Sequence, residues 1–160
     1  FLGNSLKEVS AFLPPAEPES QVYTDLDSGY EAARLSKKPV FIDFTGWGCV
    51  NCRKMEGKVM TDDEVKSIMS RYVVIRLYVD DREQLPVRLK VPENGGFIEL
   101  ETVGDKWSWL ERVRWNANTQ PLYVLTDTDG NALNVTYSYD EDIKKFSDWL
   151  KTGLRNFTDK

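Results

Sequence analysis

Histidine is absent from the 160 residues of this chain, and only two of the residues are cysteine. Without histidine, neither a Ser-His-Asp triad nor a Cys-His pair can form, and the commonest metal ligand in proteins is missing. Two thiols alone make a poor zinc site, since structural zinc usually takes four Cys or His ligands. We therefore expect no metal site and no catalysis that depends on an imidazole.

Long apolar stretches and clusters of basic residues are also lacking. No apolar stretch is long enough to span a bilayer, and no signal-peptide pattern is visible. The 26 Asp and Glu residues outnumber the 21 Lys and Arg residues, for a formal net charge of -5, which disfavours nucleic acid as a partner. A chain of this length suits one domain whose core needs no disulfide to stay folded. Two cysteines do not distinguish the cytosol from an oxidising compartment.

The two cysteines, Cys49 and Cys52, lie between the apolar run Val40–Phe44 and a helical pattern. In the first turn of a helix, residues three apart are close enough to be bridged with little backbone movement. Unpaired N–H groups and partial positive charge at the helix N-terminus favour a thiolate on Cys49. Cys52, one turn deeper, can then attack a mixed disulfide and release the partner. The motif predicts a thiol–disulfide active site; the alternative is a permanent disulfide closing a small loop, which would stabilise the fold little.

Composition and apolar periodicity divide the first part of the chain. Residues 1–22 are rich in Pro and Glu and are expected to form a tether, whose apolar piece Val9–Leu13 is a candidate for docking on the domain surface. One domain is predicted over residues 23–160. A helix is expected from Asp27 or Ser28 to Lys37, followed by a central strand at Val40–Phe44. The helix is predicted to bury, or nearly bury, Tyr30, Ala33 and Leu35.

The helix after the CxxC motif is predicted to place one set of residues on a single face: Cys52, Met55, Glu56 and Val59. Capping-box residues Thr61–Glu64 are expected to break and restart it. The restarted helix is predicted to turn four apolar residues inward: Val65, Ile68, Met69 and Tyr72. A second buried strand, Val73–Val79, is expected to run parallel to the first because a helix connects them.

Residues 80–120 form a longer excursion. A hairpin turn is predicted at Asn94–Gly96 and a short helix after Asp105. A further β-hairpin is expected around Asp129-Gly130, with arms at Leu122–Thr126 and Ala132–Tyr137. The last helix is predicted to start near Asp140 and to bury Ile143, Phe146, Leu150 and Leu154. This order of elements indicates a mixed sheet with helices on both faces.

Asp43 is the most informative polar residue in a predicted strand. Its neighbours Ile42 and Phe44 are apolar, so a buried Asp43 carboxylate would be costly to ionise and its pKa should rise. Such a group could accept and return the proton of Cys52 during exchange. The alternative is a side chain that points to a solvated edge or hydrogen-bonds a backbone group.

Three other residues have both a functional and an ordinary interpretation. Glu56, one turn after Cys52, is either a second anion near the thiols or a helical Glu that reaches solvent. Trp47 either covers the site or belongs to the core. Pro121 either initiates a strand in the trans form or, in a docking role, lets the backbone of Gln120 pair with an extended substrate chain.

The stretch Asp43–Glu56, with Leu77–Asp80 and Gln120-Pro121 downstream, resembles the thioredoxin superfamily. It is most similar to the C-terminal, periplasmic domain of the DsbD-type thiol:disulfide interchange proteins. A CxxC motif alone is a weak signal, whereas a CxxC with Asp six residues before it and a later X-Pro strand is specific. The resemblance implies an α/β thioredoxin-like fold, a mixed central sheet with helices on both faces and an insertion at about 81–119 before the cis-proline strand.

Function and site residues follow from the same resemblance. It implies a protein-disulfide reductase that takes electrons from a membrane electron-transfer domain and passes them to periplasmic protein disulfides, serving disulfide isomerisation and cytochrome c maturation. The domain would be a soluble monomer tethered at the periplasmic side of the bacterial inner membrane, with the Cys pair in place of any cofactor. The implied catalytic residues are Cys49 (attacking), Cys52 (resolving), Asp43 and Glu56. The substrate-binding residues would be Trp47, Gly48, Val50, Asn51, Gln120 and Pro121.

The chain departs from that family at one position beside the motif. The family usually has Trp directly before the first cysteine, where this chain has Gly48, with Trp47 one position earlier. If Asp43 and Glu56 both approach Cys49, they oppose the helix dipole, and we expect a reductant-type site with a less acidic thiol than that of a strong oxidant such as DsbA. Two rival functions stay open: a free-standing thioredoxin-like reductase and a non-catalytic interaction module with a structural disulfide.

Overall fold

The computed structural model describes residues 21–158 and contains a four-stranded mixed sheet. In chain order its elements are β1 (Val22–Tyr23), α1 (Leu26–Ser36), β2 (Val40–Thr45), α2 (Val50–Lys58), α3 (Asp63–Met69), β3 (Val73–Tyr78), β4 (Gln84–Glu93), β5 (Gly96–Thr102), α4 (Val103–Trp115), β6 (Leu122–Thr126) and α5 (Ile143–Thr158). The order of strands across the sheet is β1-β3-β2-β6, and β4 and β5 form a separate hairpin.

Strand β2 lies inside this sheet, between β3 and β6, and all six of its residues are buried. It pairs in parallel with β3 on one side and antiparallel with β6 on the other. Alternation of side chains divides the core into two clusters. Phe41 packs in one cluster with Met55 of α2 and Phe146 of α5, and Ile42 packs in the other with Trp107 of α4. Helices therefore cover both faces of the sheet, and the predicted fold class is confirmed.

The first residues of the domain differ from the prediction in two places. The tether was expected to include Val22, but Val22 begins β1 and pairs with Val74 of β3. A strand of two residues is too short to give a periodic signal, which explains the error. Leu35 was expected on the buried side of α1 and is 78% exposed, whereas Gly29 and Ala33 face the core. The apolar piece Val9–Leu13 lies outside the described residues.

The break between α2 and α3 is confirmed, but its cap is one residue later than predicted. Asp62, not Thr61, caps α3 by accepting the Val65 N–H at 3.1 Å. Thr61 instead donates its hydroxyl to the Gly57 carbonyl. The expected inward residues Val65 and Ile68 are buried as predicted.

The excursion of residues 80–120 contains the β4–β5 hairpin and α4. Its turn lies at Asn94 and Gly95, both with positive φ, as the sequence predicted. Thr102 and Asp105 form a capping box that starts α4. Because α4 packs Trp107 against the sheet, it belongs to the main domain. The hairpin lies against α4, since Trp109 donates to the Pro92 carbonyl and Arg112 to the Glu93 carboxylate.

The C-terminal part also departs from the prediction. The second arm of the expected hairpin, Ala132–Tyr137, forms only two isolated bridges with β6, at Ala132 and Tyr137. The register shifts between these bridges, so no continuous strand forms. Helix α5 begins at Ile143, and Ile143 itself is 37% exposed, although Phe146, Leu150 and Leu154 are buried as expected.

Candidate active site

The two cysteines lie where the loop after β2 enters α2. Cys49 is the N-cap of α2, with an extended backbone, and its Sγ accepts the Cys52 N–H at 3.1 Å. The two residues form a disulfide with their Cα atoms 5.3 Å apart. Cys49 is half-buried, whereas Cys52 is 1% exposed. The leading sulfur therefore receives an amide hydrogen bond at a helix N-terminus, and its neighbour lies behind it in the core.

Asp80 holds the loop that precedes Cys49, and sequence reasoning gave it no role. The Trp47 N–H donates to Oδ1 of Asp80 at 3.0 Å, and the Gly48 N–H donates to Oδ2 at 3.1 Å. Strands β2 and β3 are parallel, so the residues that follow them meet at the same sheet edge. The parallel pairing predicted from the sequence places Asp80 at this edge, but it does not reveal which backbone N–H groups the carboxylate binds. The carboxylate fixes the backbone that leads into the CxxC motif.

Exposed apolar side chains lie on either side of Cys49 in the sequence. Trp47 is 64% exposed and stacks on Tyr78, with ring centroids 3.9 Å apart and planes 8° apart. Val50 is 66% exposed, and Gly48 and Asn51 are exposed as well. Trp47 is therefore a surface residue, and the alternative that placed it in the core is wrong. These four residues form an exposed surface beside Cys49.

Asp43 lies on the face of β2 that α2 covers, since it alternates with Phe41 in the strand. Its side chain is 1% exposed, and Nε of Arg76 on the paired strand lies 3.4 Å from Oδ2. Burial raises the pKa of Asp43 to about 7, against the opposing effect of the Arg76 charge. The expected burial and raised pKa are confirmed, and the alternative of a solvated edge is wrong.

Each of the two candidate carboxylates has a guanidinium partner that the sequence did not reveal. Arg53 Nη2 donates to Glu56 at 2.9 Å and to the Thr45 hydroxyl at 3.2 Å. Glu56 is half-buried, and its charge contributes to the raised pKa of Asp43. Arg53 and Arg76 therefore offset the two carboxylates, so the region beneath α2 is less anionic than the sequence suggested. When Asp43 is protonated, this group of four side chains carries a net positive charge.

The Gln120-Pro121 peptide lies at the same end of the sheet as the CxxC loop. Its peptide bond is cis, as the resemblance implied. Leu122, the next residue, pairs with Phe44 near the end of β2. Pro121 is buried and Gln120 is half-buried. The side-chain amide of Gln120 donates to Oε1 of Glu111 at 2.9 Å. Neither the CxxC motif nor the Gln120-Pro121 pair predicted this contact with Glu111.

Neither a metal centre nor a membrane-spanning helix is found in the described part of the chain. Among residues 21–158, His, Cys, Asp and Glu side chains form no group of three or more that could hold a metal ion. None of the helices in the same range combines the length and the apolar character that crossing a bilayer requires.

Comparison with known proteins agrees with this geometry. The model of the thioredoxin-like family matches residues 21–95. Over 118 residues the chain is 30% identical to thiol:disulfide interchange protein DsbD 1 of Pseudomonas aeruginosa, which covers 68% of this chain. The match spans only 20% of that relative, so the chain corresponds to about one fifth of its length.

Two solved structures show the same fold at low sequence identity. The oxidised C-terminal domain of Neisseria meningitidis DsbD has a TM-score of 0.57 at 16% identity, over 83% of this chain and 99% of that one. A thioredoxin from Thermus thermophilus has a TM-score of 0.58 at 18% identity, over 84% and 86%. With the family match, the DsbD relative and the cysteine pair at the N-terminus of α2, this chain contains a thioredoxin-like domain.

Proposed function

We propose that this domain is a thiol–disulfide oxidoreductase that reduces disulfides in other proteins through Cys49 and Cys52. One observation carries the proposal: Cys49 is partly exposed as the N-cap of α2, and the sulfur of Cys52 is buried directly behind it. A disulfide that only stabilised the fold would need no such asymmetry. The high exposure of Trp47 and Val50 supports docking of another protein at Cys49.

The proposed exchange transfers two electrons in two displacements. The Cys49 thiolate attacks the partner's disulfide, forming a mixed disulfide and expelling one partner thiolate. Cys52 then loses its proton, attacks the Cys49 sulfur and expels the second partner thiolate. The partner gains two thiols as Cys49 and Cys52 become a disulfide. A dithiol donor restores the reduced pair by the reverse sequence.

Asp43 is proposed to handle the proton of Cys52. A buried thiol loses its proton reluctantly and needs a base that is partly ionised near neutral pH. The pKa of Asp43, about 7, meets that requirement. Arg76 keeps the carboxylate from an even higher pKa, so it makes Asp43 usable as a base. Glu56, paired with Arg53, adjusts the charge around this group.

We further propose that the domain works as its DsbD relative's name suggests, in thiol:disulfide interchange. In that role a membrane electron-transfer domain would reduce it, and it would reduce periplasmic protein disulfides on the outer side of the bacterial inner membrane. The reduction potential of the Cys49–Cys52 couple against glutathione tests the expected reductant character. Membrane-spanning segments encoded upstream of Phe1 would favour this role over a free-standing reductase.

Mixed-disulfide trapping tests the exchange itself. Reduced Cys52→Ala protein, incubated with insulin, should accumulate a covalent complex, because nothing resolves the first displacement. Cys49→Ala is the matched control and should trap far less, since its remaining thiol is buried. The unchanged protein should reduce insulin with dithiothreitol as donor. A non-catalytic interaction module would show neither turnover nor trapping, and that result would overturn the proposal.

A further inference from the structure

Glu111 is a buried carboxyl group for which the exchange chemistry has no use. It is 0% exposed and lies one helical turn after Trp107, on the face of α4 that packs against the sheet. The sheet residues that pack in the same core cluster as Trp107 are apolar, among them Phe44, Leu77 and Leu122. Within the described residues, Oε1 accepts the Gln120 amide and Oε2 has no hydrogen-bond partner.

Glu111 contacts the segment that leads to the cis peptide by two routes. Its side chain holds the amide of Gln120, as described above. Its backbone carbonyl accepts the Ala117 N–H at 3.4 Å, just after Asn116, the left-handed residue that caps the C-terminus of α4. The loop from Ala117 to Gln120 is thus attached to Glu111 at both of its ends. The carboxyl itself contacts Gln120, the residue that precedes Pro121.

We propose that Glu111 is a positioning residue for partner docking: in its neutral form it holds Gln120 in place beside Pro121, and its ionisation loosens that edge. The partner is an extended segment of a disulfide-bearing protein that lies along Gln120. The inference rests on the proposed exchange at Cys49, because it assigns a second group that shapes the docking edge of the same site.

The electrostatic surroundings support this direction. Burial raises the pKa of Glu111 to about 7, and the hydrogen bond from Gln120 and then the charge of Arg112 on the same helix oppose the rise without cancelling it. Arg112 is itself engaged by Glu93 of β4 through two hydrogen bonds. The facing sheet residues contribute no charge, and Gln120 contributes one neutral amide. An ionised Glu111 therefore has only the Gln120 hydrogen bond to stabilise its buried charge. It gains further hydrogen bonds only if the loop opens to water.

A comparison of two substrates isolates docking from thiol chemistry. Pre-reduced protein is mixed in single turnovers with insulin, which needs the docking edge, or with 2-hydroxyethyl disulfide, which is too small to use it. The ratio of the two rate constants cancels the ionisation of Cys49 and of Asp43. This ratio is measured between pH 5.5 and 8.5 for the unchanged protein and for Glu111→Gln. Dividing the first protein's ratio by the second's gives a quotient in which the titration of insulin also cancels.

That quotient should fall as pH rises through about 7, the pKa of Glu111. The expected fall is roughly twofold to tenfold, which corresponds to the free energy of one neutral hydrogen bond. Glu99→Gln, which changes an exposed carboxylate on β5, is the matched control and should behave like the unchanged protein. Gln120→Ala removes the other partner of the bond and should show the same loss of pH dependence as Glu111→Gln. This second variant keeps the test valid if Glu111→Gln does not fold.

A quotient that stays flat across this pH range would overturn the role of Glu111. So would a Gln120→Ala protein whose ratio varies with pH as that of the unchanged protein does. Failure of the proposed function looks different, because the unchanged protein would then reduce neither insulin nor the small disulfide at any pH.

Discussion

Replacing Asp43 by Asn should make the stability of the domain less dependent on pH. The pKa of Asp43 is raised from 3.8 to about 7 in the folded protein. Folding therefore favours the protonated acid, whose stabilising contribution is fully present below pH 3.8 and is lost as pH rises through about 7. Asn is neutral throughout and avoids this loss.

The size of the effect follows from the same pKa. A rise from 3.8 to about 7 corresponds to about 4 kcal/mol of unfolding free energy, at ~1.4 kcal/mol per pH unit. Relative to the unchanged protein, Asp43→Asn should therefore gain up to about 4 kcal/mol between pH 4 and pH 8. The attraction between Arg76 and the ionised carboxylate already lowers this pKa, so it is included in that limit.

Urea unfolding of the oxidised proteins, followed by tryptophan fluorescence at pH 4, 6 and 8, measures this difference. Asp148→Asn removes an exposed carboxylate on α5 and is the matched control, with no pH-dependent gain expected. The ionisation of Glu111 is common to both proteins and cancels in the comparison. A stability difference between Asp43→Asn and the unchanged protein that is the same at pH 4 and pH 8 would refute the reasoning.

Three further substitutions test other contacts. Arg76→Met removes the cation that lowers the pKa of Asp43, so the pH midpoint of the stability loss should move above about 7 in urea titrations, and an unchanged midpoint would contradict the pairing. Asp80→Ala removes two hydrogen bonds to the loop before Cys49. We expect a free energy of unfolding about 1–3 kcal/mol lower and slower insulin reduction. An unchanged free energy of unfolding together with an unchanged rate would count against the loop's dependence on Asp80. Phe146→Ala should lower the free energy of unfolding in urea by about 3–5 kcal/mol, because Phe146 contacts four other aromatic rings of the core. A decrease below about 1 kcal/mol would contradict that packing.

Local sequence signals were sufficient for the elements that carry the cysteines. The apolar run of β2 and the CxxC at the start of α2 depend on residues close together in the chain, so the strand and the helix could be predicted. Asp43 could be assigned to the interior for the same reason, since its strand neighbours are apolar. The position of Pro121 near the end of β2 depended on the resemblance to a known family.

The contacts that could not be predicted join residues far apart in the chain. Asp80 is separated from Gly48 by 32 positions, and Arg76 meets Asp43 only through the register of β2 and β3. Glu111 looks like any helical Glu until α4 is packed on the sheet. Leu35 and Ile143 were misassigned because apolar character does not reveal where a helix's buried stripe ends. Secondary structure and motif were thus local properties, while the charge balance around the site was a tertiary one.

The central claim is that one sulfur of the pair can be reached from solvent and the other cannot. It is tested most directly by brief alkylation of the reduced protein with iodoacetamide, followed by peptide mapping of both cysteines. The exposures of the two side chains predict that Cys49 is alkylated at least about tenfold faster than Cys52. Equal labelling of the two cysteines, or faster labelling of Cys52, would contradict the account.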